Sequence, residues 1–95
     1  MNLKVYSVYD KKMNEYTVAF FFPDNVSCVR AFYNMFLSGN VSPVDYYNSA
    51  EDFEIYCVGF FDTSSGLLNA QTPQFCASMS DFKKIVLDNK ELQKK

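Results

Sequence analysis

The side chains that could do covalent or acid–base chemistry are few, and each has a plainer account. Ser80 and Lys83 stand at S-x-x-K spacing, which on a helix sets an amine beside a hydroxyl, as in penicillin-binding folds. The companion motifs are missing, and Ser80 as a helix N-cap explains the same letters. Glu51, Asp52 and Glu54 could approach a hard cation, but no Asp-x-Asp-x-Asp-Gly loop surrounds them. They read as the solvated entrance to a strand, and no metal is expected. The three cysteines, Cys28, Cys57 and Cys76, contain no C-x-x-C pair and sit among apolar residues. They are expected to be reduced, with at least two buried as small hydrophobes, although spacing alone leaves one disulfide open. The chain has no His, which removes Ser-His-Asp and Cys-His catalysis and His-ligated zinc. No enzyme activity and no cofactor are expected. Asn25-Val26-Ser27 and Asn40-Val41-Ser42 would matter only in a secreted chain.

What remains is aromatic and cationic. Ten Phe and seven Tyr in 95 residues exceed what one small core needs, so a binding face or a dimer interface is expected. Tyrosines on a sheet can stack single-stranded bases, and Tyr6, Tyr9, Tyr16 and Tyr56 fall on strand-like segments. The alternative is an aromatic core with cross-strand pairs. Charge is unevenly spread: residues 1–12 carry +2, residues 13–82 carry −7 and residues 83–95 carry +3, summing to −2. With a sequence pI near 4.9, the whole chain lacks the basic character usual in nucleic-acid binders. A nucleic-acid surface would have to draw on Lys4, Lys11, Lys12, Lys83, Lys84 and Arg30, beside Tyr6 and Tyr9. The plainer reading of the terminal lysines is a solvated tail.

These residues need elements to position them. Leu3 to Tyr9 alternates and is rich in β-branched and aromatic residues, as is Glu15 to Phe22, and the short polar link between them predicts a hairpin. Pro23 ends the second strand and Asp24 is placed to cap a helix. Apolar residues at 26, 29, 33, 36 and 37 predict the buried face of that helix, with Arg30 on its edge and Gly39 as its stop. Asn40 to Asp52 reads as a long loop. Phe53 to Phe61 is the third strand, and Asp62 to Gly66 a turn. Leu67 to Gln71 is a short fourth strand, barred from continuing by Pro73. Ser80 begins a helix with Phe82, Ile85 and Val86 inward, fraying after Leu92. The order is ββαββα. It predicts a single α+β domain over residues 1–95, an antiparallel sheet with helices packed on one face, and a frayed basic tail at 88–95. The longest apolar run, Val18 to Phe22, is too short to cross a bilayer, and residues 1–7 lack a signal-peptide stretch. A cytoplasmic protein without membrane contact is expected.

Taken together these segments resemble the small nonstructural protein of gokushovirus-type microviruses, the icosahedral single-stranded DNA phages. The resemblance rests on Lys4-Val5-Tyr6-Ser7-Val8-Tyr9-Asp10, on Phe20 to Phe22 followed by Asn25, and on Val29-Arg30-Ala31-Phe32. It closes with Asp52 to Asp62 and Ser65-Gly66-Leu67, covering roughly residues 3–75. It implies a nonenzymatic, DNA-binding protein that acts as genome replication gives way to single-strand packaging. Arg30 and the Tyr6/Tyr9/Asp10 strand end match the family pattern. Single-stranded DNA is the implied partner. A protein–protein adaptor or homodimer touching phage replication or capsid proteins is the alternative.

Overall fold

The computed structural model describes residues 1–38, 46 and 49–93. Strands β1 (Asn2–Asp10) and β2 (Glu15–Phe22) form the first hairpin, and helix α1 (Asn25–Ser38) follows. A short 3-10 helix (Ala50–Asp52) leads into β3 (Phe53–Asp62), then β4 (Leu67–Ser78) and helix α2 (Met79–Gln93). All three strand pairings are antiparallel and the sheet order is β2-β1-β3-β4. The ββαββα order and the α+β class are those the sequence predicts.

Local chemistry explains the boundaries. The Asp10 carboxylate accepts from the backbone N–H groups of Lys12 (2.9 Å) and Met13 (3.2 Å), and Asn14 takes a positive φ of 55°. Asn tolerates that left-handed position better than most residues, so the hairpin closes here. Asp24 accepts from the N–H of Ser27 at 2.8 Å, capping α1. That bond holds its carboxyl below the usual carboxylate range. At the second hairpin Asp62 accepts from the Ser64 N–H and the Ser65 hydroxyl, while Gly66 supplies φ 73°.

One side of the sheet carries both helices. Tyr6 and Val8 of β1, with Phe53, Ile55 and Cys57 of β3, form one cluster with Cys28, Phe32 and Phe36 of α1 and Met79, Phe82 and Val86 of α2. Burying each such large apolar side chain stabilises the fold by roughly 1.5–3 kcal/mol. All three cysteines are free, with Cys28 and Cys57 buried.

Several boundaries and faces differ from the sequence reading. β4 does not stop at Gln71 but continues through Pro73 to Ser78. It is an edge strand, where a missing N–H need not face a neighbour, and its register slips between Cys57 and Gly59 and again between Ile55 and Tyr56. The buried face of α1 is Cys28, Phe32 and Phe36; Val26 and Leu37 are exposed. Ile85 of α2 is also exposed, unlike Phe82 and Val86. Ser80 lies inside α2, with Ser78 in the cap position and their hydroxyls 2.9 Å apart. α2 is drawn to Gln93. Gly39, most of the 40–52 loop with the second glycosylation-type triplet, and Lys94 and Lys95 lie outside the described residues. No helix is long and apolar enough to cross a membrane among the described residues.

Candidate nucleic-acid interface

Strand alternation sends Tyr6 and Val8 toward the helices and Ser7 and Tyr9 the other way. Tyr9 pairs with Tyr16 on β2 and with Glu54 on β3, and Phe75 of β4 pairs with Tyr56 of β3. Their rings form a continuous strip across all four strands. Tyr16 meets Tyr9 at 4.9 Å, Tyr9 meets Tyr56 at 6.0 Å, and Tyr56 meets Phe75 at 5.7 Å between centroids. Tyr16 and Tyr56 also touch each other, at 5.9 Å, although β1 lies between their strands. None of the four belongs to the helix-side core; Tyr16 is 44% and Phe75 59% exposed. Mixed edge-to-face and tilted contacts within this spacing are favourable for aromatic pairs, so the strip is held in place without a covering layer.

A second aromatic contact shares this open face. Phe21 of β2 and Phe61 of β3 meet at 5.8 Å, again across β1. Val5, opposite Phe21 in the ladder, is thereby buried while lying outside the helix-side cluster. Leu68, opposite Phe61, is 65% exposed.

Polar groups frame the strip. The Tyr9 hydroxyl donates to Asn14 Oδ1 (3.1 Å) and the Tyr56 hydroxyl to Glu54 Oε1 (3.3 Å). Partial burial, and then the Glu54 carboxylate, push the Tyr56 hydroxyl pKa up, so it remains a donor at neutral pH. Lys11 and Lys12 occupy the hairpin tip just beyond Tyr9. Lys12 Nζ lies 4.0 Å from Asp52 Oδ2, and the Lys11 N–H donates to the Asp52 carbonyl at 2.8 Å, so the tip leans on the 3-10 helix. Exposed as it is, this ion pair adds little stability and leaves both ammonium groups at the surface.

The sequence-derived set is therefore divided. Tyr9, Lys11 and Lys12 come together at the hairpin end. Tyr6 does not join them: it is fully buried under α1, its hydroxyl donates to Asn25 Oδ1 at 2.5 Å, and burial raises its pKa. A ring in the core cannot stack on a base, and this corrects the expectation for Tyr6. Lys4 lies toward the other end of β1, near Asp24 and Cys76. Arg30 stands on α1, and Lys83 and Lys84 on α2, all on the helix layer. Tyr16 and Tyr56 complete the strip as strand tyrosines. Sequence reasoning misses Phe75, because ending β4 before Pro73 removes it from the sheet. Its one signal is an alternation continuing past the proline. Among the described residues no group of three His, Cys, Asp or Glu could hold a metal ion.

Fold and face together define a small antiparallel α+β domain with one helix-covered sheet face and one open aromatic face. Residues 3–82 match the Phage ORF5 protein family, and the chain belongs to that family of phage proteins. No curated protein and no solved structure matches it.

Proposed function

We propose that this phage protein is a nonenzymatic single-stranded DNA-binding protein of a gokushovirus-type microvirus, acting in viral DNA replication or in the switch to single-strand packaging. The observation that carries the reading is the Tyr16–Tyr9–Tyr56–Phe75 strip crossing all four strands on the uncovered face. Successive bases stack on such rings whatever their sequence, because every base has a π-face. Lys11 and Lys12 supply phosphate contacts beside Tyr9. The acidic surroundings, Glu15, Glu51, Asp52 and Glu54, keep affinity modest and make it salt-sensitive. The test is fluorescence anisotropy of a labelled oligo-dT, titrated with protein from low to physiological salt. Saturable binding with a log–log salt slope of roughly −1 to −3 is expected. No binding by folded protein at low salt would reject the reading.

One observation favours a second reading. Phe21, Phe61 and Leu68 extend the same face with further apolar surface. A second copy seated there would make a face-to-face sheet dimer about 10 Å thick at its core. Light scattering at micromolar concentration distinguishes the two. A dimer that dissociates as DNA is added shows one shared face, whereas a dimer that ignores DNA supports the adaptor role.

A further inference from the structure

Cys76 owes its direction to a β-bulge. Phe75 of β4 lies opposite Tyr56 and Ala77 opposite Ile55, so Cys76 is the extra residue between two adjacent positions of β3. Such a bulge breaks the alternation and re-aims one side chain. Phe75 stays on the open face, whereas Cys76 and Ala77 both pack against the helix-side core. Cys28, fully buried on α1, meets Cys76 there, and the two thiols are hydrogen-bonded. The third cysteine is committed elsewhere: the buried Cys57 thiol donates to the Gly59 carbonyl at 3.7 Å. The members of the pair differ in access. Cys28 has none, but Cys76 is half-buried and lines the open groove of about 510 Å³ between α1 and α2, beside Val29, Arg30 and Ile85. The hydrogen bond also separates their chemistry. Accepting from Cys28, and close enough to Lys4 to feel its charge, the Cys76 thiol is pulled down to about 7 although burial opposes this. Cys28 keeps its proton, since the same bond and then burial push its pKa up. The thiolate is the nucleophile of disulfide exchange, and a thiol titrating near neutrality is close to the optimum for attack.

We propose that Cys76 and Cys28 form a redox-active thiol pair whose substrate is a low-molecular-weight disulfide of the glutathione class. The Cys76 thiolate attacks one sulfur of the small disulfide through the groove. The small S–S bond breaks, a mixed disulfide forms on Cys76, and one small thiolate leaves and is protonated. Cys28 then loses its proton and attacks Cys76 Sγ, expelling the second small thiolate, which is protonated in turn. Two protein thiols and one small disulfide become one Cys28–Cys76 disulfide and two small thiols. The protein sulfurs give up two electrons and the small disulfide takes them, so no other oxidant enters. Resolution is the slower step, because the thiol that must ionise is the buried one. An excess of small thiol reverses the sequence, which makes the bond a removable staple between α1 and β4. Shortening a thiol contact to the roughly 2.05 Å of an S–S bond needs one side to move. β4 is the edge strand and its ladder is already broken at the bulge, so the movement falls there. The pair lies on the helix side of the sheet, and its chemistry does not depend on DNA binding.

The test uses the full chain, fully reduced and then incubated under native conditions with glutathione disulfide. Samples are quenched in acid, and peptide mass spectrometry locates every sulfur. An adduct on Cys76 is expected to rise and then decay into a Cys28–Cys76 disulfide, with Cys57 unmodified until the protein is unfolded in urea. Cys28→Ala should hold the adduct on Cys76, formed more slowly for want of the hydrogen bond. Cys76→Ala should leave Cys28 and Cys57 reacting about tenfold or more slowly than Cys76 does in the parent, since both are buried. Closing residues 28 to 76 into one loop should raise the melting temperature of the oxidised protein by roughly 10 °C or more, and dithiothreitol should reverse the rise. Mapping the parent chain needs no variant, so a Cys28→Ala protein that fails to fold leaves the test standing. Four results would overturn the proposal: no reaction of the folded protein, a lasting adduct on Cys76 with no bond to Cys28, a disulfide that includes Cys57 or joins two chains through Cys76, or an oxidised protein that melts below the reduced one.

Discussion

Gly59→Ala probes the joint that holds the aromatic strip together. Gly59 is buried in β3 opposite Ala70 of β4, where the register slips between Cys57 and Gly59. A methyl group added there would fall far inside van der Waals contact of the Asn69 carbonyl oxygen. It would also lie 3.3 Å from the Asn69 carbonyl carbon and 3.4 Å from the Ala70 Cα. All three neighbours are backbone, so no side chain can swing aside, and β4 must retreat by on the order of 1 Å. Overpacking of this kind costs about 1–3 kcal/mol, and stretching one or two ladder hydrogen bonds adds roughly 0.5–1.5 kcal/mol each. Lower chain entropy in the unfolded state returns about 0.4–1 kcal/mol. The net loss is then about 2–4 kcal/mol, a fall in melting temperature of roughly 10–25 °C for a domain of this size. Thermal melts followed by circular dichroism measure it. Gly66→Ala is the control: nothing lies within 4 Å of its added carbon, and only the φ of 73° opposes it, at about 1 kcal/mol. If Gly59→Ala melts within a few degrees of the parent, or above Gly66→Ala, then close approach of β4 is not what requires glycine here.

Three further outcomes are expected. In oligo-dT titrations Tyr9→Ala and Phe75→Ala should each lose about 1–3 kcal/mol of binding at unchanged salt slope, whereas Lys11→Ala with Lys12→Ala should flatten the slope by about 1.4; anisotropy reads both. Iodoacetamide labelling of native protein should modify Cys76 ahead of Cys28 and Cys57, since the Cys28 thiol donates to Cys76 and lowers its pKa while keeping its own proton; mass spectrometry locates the label, and Cys28 reacting first would contradict this. Asp24→Ala should lower the melting temperature at neutral pH. The folded Asp24 pKa is depressed, so the cap's charge-dependent contribution is complete above the unfolded value of about 4 and fades as pH falls through the folded one. Melts of parent and variant should therefore converge in acid, and a gap that widens there would overturn the assignment.

The sequence by itself determined the element order, the first hairpin, the Asp24 cap and the antiparallel class. These features rest on local chemistry: alternation along the strands, an Asx turn at Asp10, a carboxylate facing free N–H groups, and a glycine at positive φ. The tyrosines of β1, β2 and β3 were also legible as strand residues. Which of them meet was not, because cross-strand contact depends on register, and register depends on bulges that leave little local mark. Alternation puts Tyr6 and Tyr9 on opposite faces of β1, but only packing decided that the face of Tyr6 is the one the helices cover. Phe75 joins the strip only because β4 lies at an edge, where Pro73 does no harm. The helix faces show the same limit. Apolar residues at 26, 29 and 33 carry a sound helical period, but α1 has apolar residues on two sides. Only packing against the sheet decided that Cys28, Phe32 and Phe36 are the fully buried side, with Val29 and Tyr33 at the edge of the core and Val26 exposed. Periodicity fixes which residues share a face of a helix, while tertiary contact fixes which face is buried.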